Sequence, residues 1–117
     1  MSDTCIFCKI ARGDIPSVFL FEDDRVVAFN DINPQAPTHI LVIPREHIAS
    51  LNDLEADHAE LVGRLMAVGT VLAKQAGLGG REKGYRFVIN CGPDGGQSVD
   101  HLHLHVLGGR RFSWPPG

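Results

Sequence analysis

The chain has 117 residues, a length that predicts one domain over residues 1–117 with a hydrophobic core of ordinary size. Its composition, 44% hydrophobic and 21% charged with a formal charge of -3, excludes an intrinsically disordered protein. No run of Lys or Arg points to nucleic acid, no apolar run reaches membrane-spanning length, and no secretory signal follows Met1. We therefore expect a cytoplasmic protein that binds neither nucleic acid nor membranes.

The N-terminal segment carries a Cys-x-x-Cys pair on a short predicted helix. Asp3 or Thr4 can cap this helix, and Gly13 can end it. At helical spacing Cys5 and Cys8 share one face, where two thiols could hold one ion. Spacing alone fits a metal half-site and two buried thiols equally well, because free cysteine is also a common core residue.

Three strands are predicted next. Residues 18–22 and 26–30 flank a short acidic turn and predict a β-hairpin. At the end of this hairpin Asp31 fits either an Asx turn or a carboxylate for ribose hydroxyls, and the residues alone favour the turn. Residues 38–44 are almost continuously apolar and predict a central strand. His39 lies in it, where a core or edge residue is more common than a site residue.

A long amphipathic helix follows the third strand. His47 lies in the connector, and its position alone favours a surface residue. Apolar residues from Leu54 onwards recur at helical spacing and predict a helix of about twenty residues, capped at residues 52–53 and stopped by Gly77. Gly69 lies near the apolar stripe and costs about 1 kcal/mol relative to Ala. It therefore indicates close packing against a sheet or a second copy of the helix.

The last two strands include the most distinctive segment of the chain. Residues 85–91 predict a fourth strand, with Cys91 as a buried thiol at its end. His101, His103 and His105 then alternate with aliphatic residues after a glycine-rich loop. Alternation at period two predicts a fifth strand with imidazoles on one face. Five strands, one long helix and one short helix predict an α+β fold with a mostly antiparallel sheet.

A row of imidazoles beside a glycine-rich loop indicates a site for an anion or a metal. Imidazole is a common metal ligand, but neighbours on one strand face are about 6.5 Å apart, rather far to bind one ion by themselves. The other chemistry is attack by a neutral imidazole on phosphorus, which forms a covalent intermediate that water cleaves. No carboxylate cluster for Mg²⁺ is evident, which fits imidazole attack better than metal-assisted phosphoryl transfer.

Residues 101–107 (HLHLHVL) resemble the histidine triad motif, in which three histidines alternate with apolar residues. Residues 21–24, 31–39, 94–99 and 114–117 also resemble the histidine triad nucleotide-binding (HINT) branch of this HIT superfamily. The resemblance implies a HIT-like fold and a homodimer whose sheets join into one. It also implies a purine nucleoside phosphoramidase, which hydrolyses the P–N bond of adenosine 5′-phosphoramidates to AMP and an amine.

The resemblance also implies a role for each matching residue. His103 is the nucleophile and forms a nucleotidyl-imidazole intermediate, His101 orients it through its backbone carbonyl, and His105 lies near the phosphate. Ser98 completes this catalytic set, which needs no cofactor. The nucleotide-binding set comprises His103 and His105 with Asp31 at the ribose, Ile32 at the base, and His39, Asn90, Gly96, Gln97, Ser98 and Val99 in the polar surround.

A structural zinc is implied as well, held by the tetrahedral set Cys5, Cys8, His47 and His101. A regular strand would aim His101 the same way as His103. Zinc binding therefore requires a twist or bulge at the start of the fifth strand, which would turn the His101 ring aside.

Two other functions stay open. The first is a nucleotide-binding scaffold protein with incidental turnover, against which the intact His103 and Ser98 favour an enzyme. The second is a dinucleoside polyphosphate hydrolase or nucleotidyltransferase of a sister HIT branch, which shares the chemistry but differs in the leaving group. The closing Trp-Pro-Pro-Gly and the loop at residues 94–99 favour the phosphoramidase.

Overall fold

The computed structural model describes residues 3–117, so the first two residues of the predicted domain lie outside the described residues. One five-stranded sheet has the order β1-β2-β3-β5-β4, and all four pairs of neighbours are antiparallel. The elements are α1 (Ile6–Arg12), β1 (Phe19–Glu22), β2 (Val26–Asn30), β3 (Thr38–Pro44), α2 (Ala59–Gln75), β4 (Tyr85–Val88), the single-turn helix α3 (Gly92–Gly95) and β5 (Leu104–Gly108). The predicted α+β fold is confirmed.

The sheet is covered on both faces, which explains why its central strands are nearly continuous in apolar residues. Val26 and Ala28 of β2 face α2 and join the larger core cluster. Val27 and Phe29 face the other way and pack with α1 in a second cluster. In the described part of the chain, no helix is both long and apolar enough to cross a membrane.

The long helix begins later than its apolar spacing predicts. The expected cap at residues 52–53 is wrong, because Leu51–Asp53 forms a separate 3₁₀ turn capped by Ser50. A second 3₁₀ turn, Ala56–His58, follows, and the side chains of Glu55 and His58 accept each other's backbone N–H groups in a capping box. Only from Ala59 does the chain continue as a regular α-helix.

Gly69 allows α2 to lie close to the sheet. A Cβ atom at this position would be 3.1 Å from Phe87 and 3.2 Å from both Leu104 and Val106. Of the two partners that the sequence leaves open, the sheet is therefore the one against which Gly69 packs closely.

The strand with the histidines is shorter than predicted. β5 begins at Leu104, so His101 and His103 precede it, and the prediction that all three imidazoles project from one face of a strand is wrong. The backbone turns instead: the N–H of His101 donates to the carbonyl of Val99 at 2.8 Å, and that of Leu102 donates to Ile48 at 2.6 Å. These bonds use groups that a sheet ladder would need.

The fourth strand also ends early, at Val88 instead of residue 91. Gly92 has a φ of 73° and opens the single-turn helix α3, which turns the chain away from the sheet. Cys91 is consequently half-buried, and its prediction as a buried thiol is wrong.

Candidate functional site

His103 is held by a backbone carbonyl from its own segment. Its Nδ1 lies 2.7 Å from the carbonyl oxygen of His101, and its ring is only 3% exposed. A carbonyl oxygen only accepts hydrogen bonds, so Nδ1 carries the proton of the neutral ring. The lone pair therefore lies on Nε2. An edge contact with the ring of Phe7, at 5.2 Å between centroids, limits the movement of the imidazole.

The ring of His101 points away from His103. Its Nε2 donates to the carbonyl of Pro44 at 2.8 Å, which leaves the lone pair on Nδ1. That atom faces two sulfur atoms, 3.4 Å from Sγ of Cys5 and 3.6 Å from Sγ of Cys8. The break before β5 thus separates the two neighbouring histidines, as a metal site at His101 requires.

A group of four residues could hold a metal ion. The ligand atoms of Cys5, Cys8, His47 and His101 all lie within 4.8 Å of one another. Nδ1 of His47 is 3.3 Å from Sγ of Cys8, so the surface location that its position favours is wrong. Two sulfurs and two imidazoles are a tetrahedral zinc set, and the bond from His101 to Pro44 is the outer support that such ligands need.

Cys5 also starts the helix that carries Cys8. It is the N-cap of α1, and its Sγ accepts the N–H of Cys8 at 3.4 Å. The predicted caps Asp3 and Thr4 are therefore wrong by one or two positions. Gly13 ends α1 as expected, in the left-handed conformation with a φ of 84°.

A second histidine pair lies beside His103. Nε2 of His39 is 2.9 Å from Nδ1 of His105 and 3.4 Å from a carboxylate oxygen of Asp31. These three residues are close enough to hold an ion. However, the N–H of Gln35 donates to Nδ1 of His39 at 3.0 Å, so the proton of this ring lies on Nε2. With no free lone pair on Nε2, His39 is a poor metal ligand.

Burial keeps this pair neutral. It lowers the pKa of His105 to about 4, helped by the neighbouring His103 and His39 and opposed by Asp31. Burial likewise lowers the pKa of His39, against the attraction of Asp31. Among the described residues, Nε2 of His105 is a buried side-chain atom without a hydrogen-bond partner. Such an atom costs about 1–3 kcal/mol, which an acceptor on a bound ligand would relieve.

Asp31 forms the Asx turn that the residues alone favour. One carboxylate oxygen accepts the N–H of Asn33 at 2.8 Å, which is the Asx turn, while the other faces His39. The next residue, Ile32, is fully exposed at 100%. An apolar side chain in water beside a carboxylate is a suitable contact for a nucleobase and its ribose.

The glycine-rich loop is held mainly by its own glutamine. The side chain of Gln97 accepts the N–H of Gly92 at 3.0 Å and donates to the carbonyls of Ala49 and Val99 at 2.7 and 3.0 Å. Gly96 turns the chain with a φ of 80°. The other predicted residues of this region, Asn90, Ser98 and Val99, lie half-buried or exposed at the end of β4 and along the loop.

The structure shows functional groups that the sequence does not reveal. The carbonyl of Pro44 and the N–H of Gln35 fix the tautomers of His101 and His39. Both are backbone groups, so no residue type marks them. The tail, by contrast, can be recognised from its residue types. Its Trp114 is 82% exposed and can contact another molecule.

Comparisons with known proteins agree with this geometry. The family model described as HIT domain matches residues 12–112. A "14 kDa zinc-binding protein" of Zea mays is 54% identical over 96% of this chain and 87% of its own length. "Adenylylsulfatase HINT1" of Arabidopsis thaliana is 50% identical over 96% of this chain and 76% of its own length. A HIT family hydrolase from Legionella pneumophila Philadelphia 1 superposes with a TM-score of 0.93 at 51% identity, covering 97% of this chain and 100% of its own, which confirms the HIT-like fold.

The low pKa of His105 predicts a loss of stability in acid. Below pH 6.5 the unfolded chain takes up a proton at this residue, but the folded protein does so only near pH 4. The free energy of unfolding should therefore fall by about 1 kcal/mol between about pH 6.5 and 5, allowing for partial exposure. Denaturant unfolding at several pH values measures this, and His105→Gln should show a shallower fall. Parallel curves for the two proteins would contradict the assignment.

Proposed function

Because the chain belongs to the HIT domain family, we propose that it hydrolyses the P–N bond of adenosine 5′-phosphoramidates to AMP and an amine. The observation that carries this proposal is the hydrogen bond from Nδ1 of His103 to the carbonyl of His101. It leaves a lone pair on Nε2, the form that an imidazole nucleophile needs. Similarity to a HIT family hydrolase supports a hydrolytic reaction.

The reaction has two displacement steps. Nε2 of His103 attacks phosphorus, the P–N bond to the amine breaks, and the amine departs with a proton taken from solvent. Water then attacks the nucleotidyl-imidazole, the bond from phosphorus to Nε2 breaks with its electron pair returning to Nε2, and AMP leaves while the attacking water returns a proton to solvent. The ring is cationic in the intermediate, and its bond from Nδ1 to the carbonyl of His101 then becomes charge-assisted and stronger. His101 thus acts through its backbone.

The nucleotide would be held on both sides of this nucleophile. The carboxylate oxygen of Asp31 that faces His39 would accept ribose hydroxyls, and Ile32 would contact the purine. The glycine-rich loop would contact the phosphate and the leaving group through Gly96, Gln97, Ser98 and Val99. Asn90, near the end of β4, and the two histidines His39 and His105 would complete the polar surround. Ser98 is exposed in the loop and therefore accessible to the leaving group.

A second candidate substrate comes from the name of a relative. The Arabidopsis thaliana relative is called an adenylylsulfatase. The same attack by His103 on an adenylyl group would release sulfate instead of an amine. The hydrogen bond from Nδ1 of His103 to the carbonyl of His101 would stabilise the cationic ring in the same way. Competition between an adenosine 5′-phosphoramidate and adenylyl sulfate measures which leaving group this chain prefers.

Hydrolysis by the variant His103→Ala tests the nucleophile. We expect its rate on an adenosine 5′-phosphoramidate to fall by about 10³-fold or more, because the covalent route is lost. The same substitution at His58, which caps a turn outside the site, should leave the rate unchanged. Equal rates for wild type and His103→Ala would contradict the proposal. AMP binding with no turnover by wild type would favour the scaffold alternative.

We also propose that Cys5, Cys8, His47 and His101 hold a structural zinc ion. The zinc-binding name of the Zea mays relative supports this, together with the bare Nδ1 of His101. When bound, the ion supplies a rigid link between α1, the connector after β3 and the segment before β5. No disulfide joins any of the three cysteines, all of which lie among the described residues, and this fits the reducing cytoplasmic location that we propose.

Metal analysis of protein purified without a chelator tests the zinc site. We expect about one zinc per chain in wild type and a large loss in Cys8→Ser, because a hydroxyl is a poor zinc ligand. Cys91→Ser changes the one cysteine outside the group and should keep its zinc. Wild type without zinc, or equal losses in both variants, would contradict the assignment.

A homodimer is the third part of the proposal. β4 is an edge strand, so its unpaired backbone groups can join a second sheet. Met66 and Val71 expose apolar surface on α2, at 40% and 50%. The exposed Trp114 of one chain would then approach the site of its partner and influence the leaving group. Light scattering should give twice the 12.7 kDa chain mass, and a monomer mass would contradict it.

A further inference from the structure

The tautomer of His39 is fixed by the backbone of its own loop. The N–H of Gln35 lies 3.0 Å from Nδ1 of His39, and an amide N–H can only donate. A charged ring, protonated on both nitrogens, would place two N–H groups against each other. His39 is 5% exposed, so water does not easily replace this contact. The ring is therefore neutral, with its proton on Nε2.

That proton determines the tautomer of His105. Nε2 of His39 lies 2.9 Å from Nδ1 of His105, closer than the 3.4 Å that separates it from Asp31. Since His39 donates at this contact, Nδ1 of His105 must accept. The proton of His105 is consequently on Nε2.

Nε2 of His105 is buried and has no hydrogen-bond partner among the described residues. The ring itself lies beside that of the proposed nucleophile His103, at 4.9 Å between centroids. An N–H donor thus remains unsatisfied next to the nucleophile. The ligand that satisfies it has to bring an acceptor, such as a phosphoryl oxygen.

We propose that His39 is a positioning residue: its Nε2–H holds His105 in the tautomer whose own Nε2–H donates to a phosphoryl oxygen of the bound nucleotide. The inference rests on the proposed function for its substrate, but the tautomers belong to the free protein. Without His39 the proton of His105 would exchange between its two nitrogens. In the other tautomer a lone pair on Nε2 would face the anionic oxygen, which costs transition-state stabilisation.

Nitrogen-15 NMR of the histidine side chains in the ligand-free protein tests the tautomers directly. We expect His39 and His105 to be neutral, with a protonated Nε2 and a bare Nδ1 in each ring. A proton on Nδ1 of His105 in wild type would overturn the inference, whatever the protein hydrolyses. In His39→Leu, which lacks the donor, His105 should become a mixture of tautomers, and an unchanged single tautomer would also overturn it.

Kinetics separate positioning from a structural role. For His39→Leu we expect kcat to fall by up to about 10³-fold, the effect of losing one transition-state donor, with little change in KM. His39→Gln carries an amide that can donate from near the same place and should recover about tenfold or more. His58→Leu is the matched control, because Nδ1 of His58 also accepts a backbone N–H, and it should behave as wild type.

The outcomes distinguish this inference from the proposed function. If His39→Gln is as slow as His39→Leu while both remain folded by circular dichroism, the positioning role is wrong. If wild type itself turns over neither substrate, the proposed function fails, and the NMR result on wild type still decides the tautomers. If His39→Leu does not fold, the NMR measurement on wild type decides the inference by itself.

Discussion

The site depends on one residue that acts through two of its parts. The ring of His101 is anchored to the carbonyl of Pro44 at 2.8 Å, and its own carbonyl holds Nδ1 of His103 at 2.7 Å. Both bonds require a backbone that leaves the sheet before β5. The bond from Leu102 to the carbonyl of Ile48 provides this break. If the strand were regular, the ring of His101 would point the same way as that of His103, and neither the group of four possible metal ligands nor the proposed alignment of His103 could form.

The three buried histidines show how a fold selects tautomers through backbone groups. Carbonyl oxygens hold the protons of His101 and His103, and an amide N–H excludes a proton from one nitrogen of His39. A backbone group is always a donor or always an acceptor, whereas a carboxylate changes its role when it takes up a proton. Tautomer selection by backbone groups therefore does not depend on the protonation state of the selecting group. Burial contributes for His39 and His101, because it lowers the pKa of both rings. The result is a set of rings with defined lone pairs around the proposed site for an anion.

Much of the fold can be predicted from the sequence, because its signals are local. The apolar runs at residues 26–30 and 38–44 correctly predict the ends of β2 and β3, and Gly13 correctly predicts the end of α1. The errors come from contacts that are distant in the chain or specific to one turn. Ser50 delays the start of α2, and the hydrogen bonds from His101 to Val99 and from Leu102 to Ile48 shorten β5.

Prediction of the candidate site is limited in the same way, because only its local patterns can be recognised in the sequence. Spacing alone suggests that the alternating histidines handle an anion or a metal, whereas their individual roles follow from the family resemblance. His47 has no local signal: the resemblance names it as a metal ligand, and the fold brings it to Cys8. Tautomers lie beyond any pattern of residue types, because they depend on which backbone atom meets each ring nitrogen.

Rapid quenching of the reaction, followed by digestion and mass spectrometry, tests whether the lone pair on Nε2 of His103, aligned by the carbonyl of His101, attacks phosphorus. During turnover of an adenosine 5′-phosphoramidate, we expect a transient adenylyl group on His103 and on no other histidine. An adduct on His101 or His105, or turnover with no histidine adduct at any quench time, would contradict it.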